Sequence, residues 1–224
     1  MARHATGPGR PRSDAGSEAV REALLRAARN YFATRGFQQA SLRQIAAEAH
    51  VNPAMVHYYF GNKQGLYITM LSETVAPLID ELEGLNARDA GREGLQEFLR
   101  HYARTLLAEP WLPNLLVREV LFQEGEVREH FIARFASRVS TALRGLVGRD
   151  VDSGALPPYV DPTLGSLGIL SLTLFPFIAQ PAVERVIDQP IDENFVERLT
   201  RHTVTLFYGV AQETEQGDTQ CGHE

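Results

Sequence analysis

Between Ser41 and Lys63 the sequence reads SLRQIAAEAHVNPAMVHYYFGNK. At about 100° per residue, Val56, Tyr59 and Phe60 fall together on one side of a short helix. Ala54 and Tyr58 face the opposite way, flanked by Met55 and His57. A helix that is apolar inside and aromatic and hydrogen-bonding outside suits insertion into a DNA major groove. The competing reading is a structural corner helix in an all-α protein. Charge bears on the choice. Residues 1–63 carry nine Lys/Arg against four Asp/Glu, a net of +5, and the remaining residues carry 13 against 24, a net of −11. A basic head on an acidic body is what a phosphate-binding module on a regulatory body would show, with chance clustering as the alternative.

The elements that must hold this helix are legible on either side of it. A first helix is expected from Ser17, as N-cap, to about Thr34. Val20, Leu24, Leu25, Ala28, Tyr31 and Phe32 form its apolar face. Gly36 stands where a left-handed residue ends a helix, and Phe37 follows as the apolar residue of that stop. A second helix opens at Ser41, where Ser41-Leu42-Arg43-Gln44 fits a capping box. Leu42, Ile45, Ala46 and Ala49 face inward. The turn is His50-Val51-Asn52, and Asn52 followed by Pro53 is a strong start for the third helix.

Upstream, residues 1–16 form a basic Gly/Pro-rich arm that cannot build a core. Its Gly9-Arg10-Pro11-Arg12 run has two open readings: insertion into a minor groove, or a floating tail attracted to phosphates. Downstream the pattern stays helical. Helices are expected at about Lys63–Leu85, Arg92–Ala108, Asn114–Phe122, Val127–Val147, Thr163–Phe175 with a break at Pro176, Pro181–Ile187, and Asn194–Gln212. Glu109 to Pro113 reads as a turn and Gly148 to Pro162 as a loop. The domain plan is therefore an arm (1–16), a helix-turn-helix domain (17–63), a helical body (64–212) and a frayed tail (213–224).

Composition narrows the class. At 224 residues with 44% hydrophobic content the chain can hold one large domain or two small ones. The single cysteine, Cys221, allows no internal disulfide and fits a reducing cytosol. No secretory segment is legible, and the most apolar run, Leu164 to Ala179, falls short of the ~20 residues a span needs. The expected protein is cytoplasmic. No Gly-rich phosphate loop, HExxH or nucleophile elbow points to an enzyme, and no cofactor is implied. Cys221 and His223 make at most half a metal site.

The block from about Arg21 to Leu71 resembles the N-terminal domain of the TetR family of bacterial transcriptional repressors. The resemblance rests on Ala27 to Phe32, Gly36-Phe37, Ser41, Ile45-Ala46, Ala49, Val51, Tyr58, Phe60, Asn62-Lys63 and Leu66. It implies an all-α dimer, with a three-helix reading head followed by a larger ligand-binding and dimerisation domain. Two departures from the family pattern stand out. His50 replaces the usual turn glycine, and the outer face reads His57-Tyr58-Tyr59 where Tyr-Tyr-His is common.

Carried over by position, the resemblance implies phosphate contacts at Ser41, Tyr58 and Lys63. It places Arg43, Gln44, Ala54, Met55 and His57 near base edges. The chemistry agrees: Lys63 is the only lysine beside 21 arginines, a compact phosphate partner. Arg43 can pair with guanine, and Ala54 and Met55 can touch a thymine methyl. The implied partners are double-stranded operator DNA, an unidentified small apolar or amphipathic effector, and a second copy of the chain through the last two long helices, with no membrane. For the effector, Trp111, Phe122, Phe131 and Phe175 are candidate apolar walls. His101, Tyr102 and Arg118 are candidate polar groups. A helical ligand-binding or adaptor protein that has lost its reader is the alternative function.

Overall fold

The computed structural model describes residues 14–88, 91–121 and 124–209. Every regular element among them is helical: α1 (Asp14–Gln39), α2 (Leu42–Glu48), α3 (Ala54–Phe60), α4 (Lys63–Arg88), α5 (Gly91–Ala108), α6 (Trp111–Leu115), α7 (Glu126–Phe131), α8 (Ser137–Asp152), α9 (Pro162–Ile178), α10 (Gln180–Ile187) and α11 (Glu193–Tyr208). Two π-helical turns, Leu116–Leu121 and Ile132–Ala136, follow α6 and α7. Apart from Asp14 to Gly16, the arm lies outside the described residues, as do the tail and Phe122.

Contacts group the chain into two compact units. One is Met1–Asp80 with Ala108–Arg138, and the other is Glu81–Leu107 with Val139–Glu224. In the first, α1 lies against both α2 and α6. Its core is built from Leu24, Leu25, Ala28, Phe32, Ile45, Ala46, Val56, Leu66 and Met70, all but sealed from solvent. Each of the larger side chains contributes about 1.5–3 kcal/mol on burial, and the two alanines less. In the second, α9 packs on α10 and α11. Leu95, Phe98, Leu99, Leu143, Leu146, Ile169, Phe177, Val196 and Val204 form that core.

Several boundaries differ from the expected ones, each for a local reason. Helix α1 already runs at Asp14, so Ser17 is not its cap; the Ser17 hydroxyl instead bonds the Tyr59 hydroxyl at 2.8 Å. Helix α6 starts at Trp111, within the stretch expected to be a turn. Pro113 sits in its first turn, where amides have no intrahelical acceptor and a proline removes nothing. The expected helix from Val127 to Val147 is interrupted by a π turn, in which Ser137 Oγ bonds the Ile132 carbonyl at 2.9 Å.

Helix α8 runs on past Gly148 to Asp152, because Asp150 is buried and accepts the Tyr208 hydroxyl. Helix α9 passes through Pro176 instead of breaking there. Pro176 and Phe177 are both buried, and that packing offsets the lost hydrogen bond. Asp161 caps the same helix, accepting from the amides of Thr163 and Leu164 at 2.8 and 2.9 Å.

Candidate nucleic-acid interface

The geometry of the head starts with how α1 ends. Gly36 has φ 77°, the left-handed region that a glycine enters at little cost, and the chain turns there as expected. Phe37 then folds back into a ring cluster, 5.9 Å from Phe32 and 5.2 Å from Tyr67, with Phe32 and Tyr67 5.1 Å apart. The Lys63 ammonium lies 4.7 Å over the Phe37 ring and donates to the carbonyls of Gln38 and Ala40 at 3.1 and 3.0 Å. Lys63 thus ties the start of α4 to the exit of α1. Its sequence-derived role was a phosphate grip; this internal role was not legible, because the partners are backbone carbonyls 23 and 25 residues away.

Helix α2 is held through Ile45 and Ala46, both fully buried, and by Asn30, which donates to Glu48 at 2.9 Å. The expected capping box does not form. Ser41 is the extended N-cap residue, but its hydroxyl makes no cap bond, and Gln44 is exposed. The first-turn amides of α2 are thereby left to water or a ligand. Arg43 is also exposed. These are three of the residues for which a DNA contact is expected.

The turn follows its chemistry closely. His50 takes φ 55°, the left-handed conformation that replaces the usual glycine. Asn52 Oδ1 accepts from the Ala54 amide at 2.9 Å, the cap that starts α3. Val56 is fully buried and Phe60 nearly so. Tyr59 is half-buried and tied to Ser17. The inner face therefore matches the three residues expected to hold α3.

On its other side Ala54, His57 and Tyr58 are exposed and Met55 is half-buried; Tyr58 is 76% exposed. Its ring meets Tyr59 edge-on with centroids 4.9 Å apart, and a residue with an apolar body and a polar tip is suited to interfaces. Arg43, Gln44, Ala54, His57 and Tyr58 are the expected contact residues that face solvent, while Ser41, Met55 and Lys63 are half-buried.

Two further residues place α3, and sequence reasoning missed both. Asn62 Oδ1 accepts from the Gly65 amide at 2.8 Å and so caps α4. Gly65 lets the start of α4 pass against the end of α3. A Cβ there would sit 2.0 Å from the Phe60 carbonyl oxygen. The Asn-x-x-Gly spacing was the available signal.

The described candidate effector residues divide between the two units. Trp111, Arg118 and Phe131 belong to the first. The Trp111 indole donates to Glu109, Arg118 to the Ala33 carbonyl at 3.4 Å, and Phe131 pairs with Phe135 at 5.4 Å. His101, Tyr102 and Phe175 belong to the second. His101 pairs with Glu81, and Tyr102 stacks on Phe98 at 6.1 Å, burial holding its phenol proton on more firmly than usual. Phe175 is 61% exposed on α9. Among the described residues no group of His, Cys, Asp or Glu is arranged to hold a metal. No single described helix is long and apolar enough to cross a membrane.

The comparisons with known proteins agree with this architecture. Residues 24–70 match the profile described as bacterial regulatory proteins, tetR family. Residues 92–207 match that of a tetracyclin repressor-like C-terminal domain. The transcriptional repressor NicS of Pseudomonas putida is 28% identical over 146 residues, which span 65% of this chain and 63% of NicS. Under two thirds of that relative is therefore covered.

Among solved structures, a linker-substituted HlyIIR superposes with TM-score 0.68 at 23% identity, over 87% of this chain and all of that one. The SmeT–triclosan complex gives 0.68 at 19%, over 85% and 92%. At those identities the likeness speaks for the fold. The second profile alone covers half of the chain, and with the first it accounts for both the reading head and the body. The chain belongs to the TetR family of bacterial regulatory proteins.

Proposed function

We propose that the protein is a ligand-responsive transcription regulator acting as a repressor. In this reading it binds a palindromic operator as a homodimer and is released by a small apolar or amphipathic effector. The observation that carries it is the two-sided α3: Val56 and Phe60 are sealed in the core while Ala54, His57 and Tyr58 stand exposed beside Arg43 and Gln44 of α2. Ser41, Tyr58 and Lys63 are assigned to phosphates, and Arg43, Gln44, Ala54, Met55 and His57 to base edges. Lys63 would do so while still anchored to α1.

Dimerisation is supported by α9 and α11, the last two long helices. Leu164, Leu167, Leu172 and Phe175 on α9 and Leu206 on α11 are large apolar side chains left 41–68% exposed. An apolar patch of this kind marks a protein interface, and two heads a helical turn apart are what a palindrome requires. For the effector, SmeT is seen in complex with triclosan, which supports an amphipathic aromatic class here. Helix α4 contributes residues to both units. A ligand that binds one state of the body better shifts α4 and lowers operator affinity by its differential affinity.

The test is selection of bound fragments from the host's genomic DNA with the purified full-length protein. Recovery of palindromic sites near the regulator's own neighbourhood supports the reading. Fragments with no shared sequence would count against it, and operator affinity unchanged by every amphipathic compound screened would remove the effector half.

A further inference from the structure

The inference concerns His57 and rests on reading α3 as the DNA-facing helix. His57 Nδ1 lies 2.8 Å from the carbonyl oxygen of Gly61. A carbonyl can only accept, so Nδ1 carries the hydrogen. Gly61 is well fixed to receive it. Its φ is 74°, a conformation that suits glycine, and its own amide donates back to the His57 carbonyl at 3.0 Å. The two residues are therefore joined twice at the end of α3.

With Nδ1 as donor, the uncharged ring has Nε2 as a bare acceptor on its far side. His57 is exposed, so that lone pair is accessible from outside. A tyrosine at this position would rotate its hydroxyl to donate or accept as the base demanded. The fixed imidazole has no such freedom. In the major groove the base-edge donors are N6 of adenine and N4 of cytosine; guanine and thymine offer acceptors.

We propose that His57 is a specificity-determining residue: held by the Gly61 carbonyl as a fixed acceptor, it reads an exocyclic amine of adenine or cytosine in each half-site. Arg43, exposed on α2, supplies donors only, so the two side chains would select opposite base-edge chemistry.

The experiment uses the full-length protein and its selected operator in buffer at about pH 8, where an ordinary imidazole is uncharged. Adenines are replaced one at a time by purine, and cytosines by pyrimidin-2-one, each lacking only the amine. One position in each half-site is expected where the replacement weakens native protein about five- to tenfold and leaves His57→Phe unaffected. An adenine position and a cytosine position are distinguished by which analogue acts.

The ¹⁵N spectrum of the His57 ring in native protein is expected to place the hydrogen on Nδ1, which guards against a His57→Phe protein that fails to fold. If both proteins bind operator and no amine replacement separates them, the proposal is overturned. A hydrogen on Nε2 overturns it as well. Failure of native protein to bind any duplex would overturn the DNA-binding reading itself, and this proposal with it.

Discussion

Helices α3 and α9 are both seated in a core, yet they leave opposite chemistry outside. On α3 the buried residues are Val56 and Phe60, and the exposed ones are the methyl of Ala54 with His57 and Tyr58, which offer hydrogen bonds. On α9 the buried residues include Gly165, Ser166 and Thr173, while the exposed ones are Leu164, Leu167, Leu172 and Phe175. One helix turns its polar side outward to a polar partner. The other buries Ile169 and Phe177 and still presents leucines and a phenylalanine outside, which water does not stabilise. In the function proposed above, nucleic acid takes the first face and another protein surface the second.

The two helices also differ in how glycine seats them. At Gly65 a Cβ would strike the Phe60 carbonyl at 2.0 Å, and backbone at a helix junction cannot retreat. At Gly168 it would meet only the ring tip of Phe207 at 3.2 Å, which can give way. Gly65→Ala is therefore expected to destabilise by about 3 kcal/mol, at the upper end of overpacking costs. Gly168→Ala is expected to change stability by less than about 1 kcal/mol, since helix propensity offsets the squeeze. Denaturant midpoints of the two variants measure the difference, and equal losses would break the comparison.

How much of this was legible in sequence follows the range of the forces. Gly36, His50 and the Asn52-Pro53 start are local backbone events, and the residue types announce them. These turns were therefore readable in the sequence, whereas the Ser41 capping box, also local, does not form. Ser17 was misread as a cap, and the internal anchoring of Lys63 went unseen, because their partners, Tyr59 and the carbonyls of Gln38 and Ala40, lie 23 to 42 residues away. The π turns and the passage of α9 through Pro176 depend on packing that no local pattern encodes. Trp111 and Phe175 illustrate the same limit for a pocket: an aromatic residue type says that it packs, but not against what.

The outward faces give the next largest effect. Leu167→Arg places a charge on the apolar face of α9 without touching a core residue. It is expected to yield a folded monomer whose operator affinity falls about 10²-fold or more, as the second head is lost. Tyr58→Ala should leave the dimer intact and weaken all operator variants alike, whereas Arg43→Ala should change preference among them. Sedimentation alongside binding curves separates these outcomes, and a dimeric Leu167→Arg protein would remove α9 from the interface.

Two smaller effects sharpen the body. Tyr208 donates to the buried Asp150, and burial together with that bond keeps the phenol protonated well above its ordinary range. Tyr208→Phe leaves the carboxylate one partner short and is expected to cost about 1–3 kcal/mol. Glu184 accepts from the Ile191 amide and from Gln180, which hold its carboxyl below the usual value. Its contribution is present above the ordinary carboxylate range and is lost as pH falls through the lowered folded value. Glu184→Gln should accordingly flatten the acid side of a stability–pH profile slightly and leave neutral pH almost unchanged. An unaltered acid limb would reject the assignment.

The central claim is that the outward face of α3 reads DNA as part of a dimer. It is tested most directly by equilibrium titration of the full-length protein against a selected palindrome and a scrambled duplex across a salt series. The account predicts tighter binding to the palindrome at every salt concentration, with log affinity falling linearly in log salt for both duplexes. Equal affinity for the two duplexes, or no binding at low salt, would contradict it.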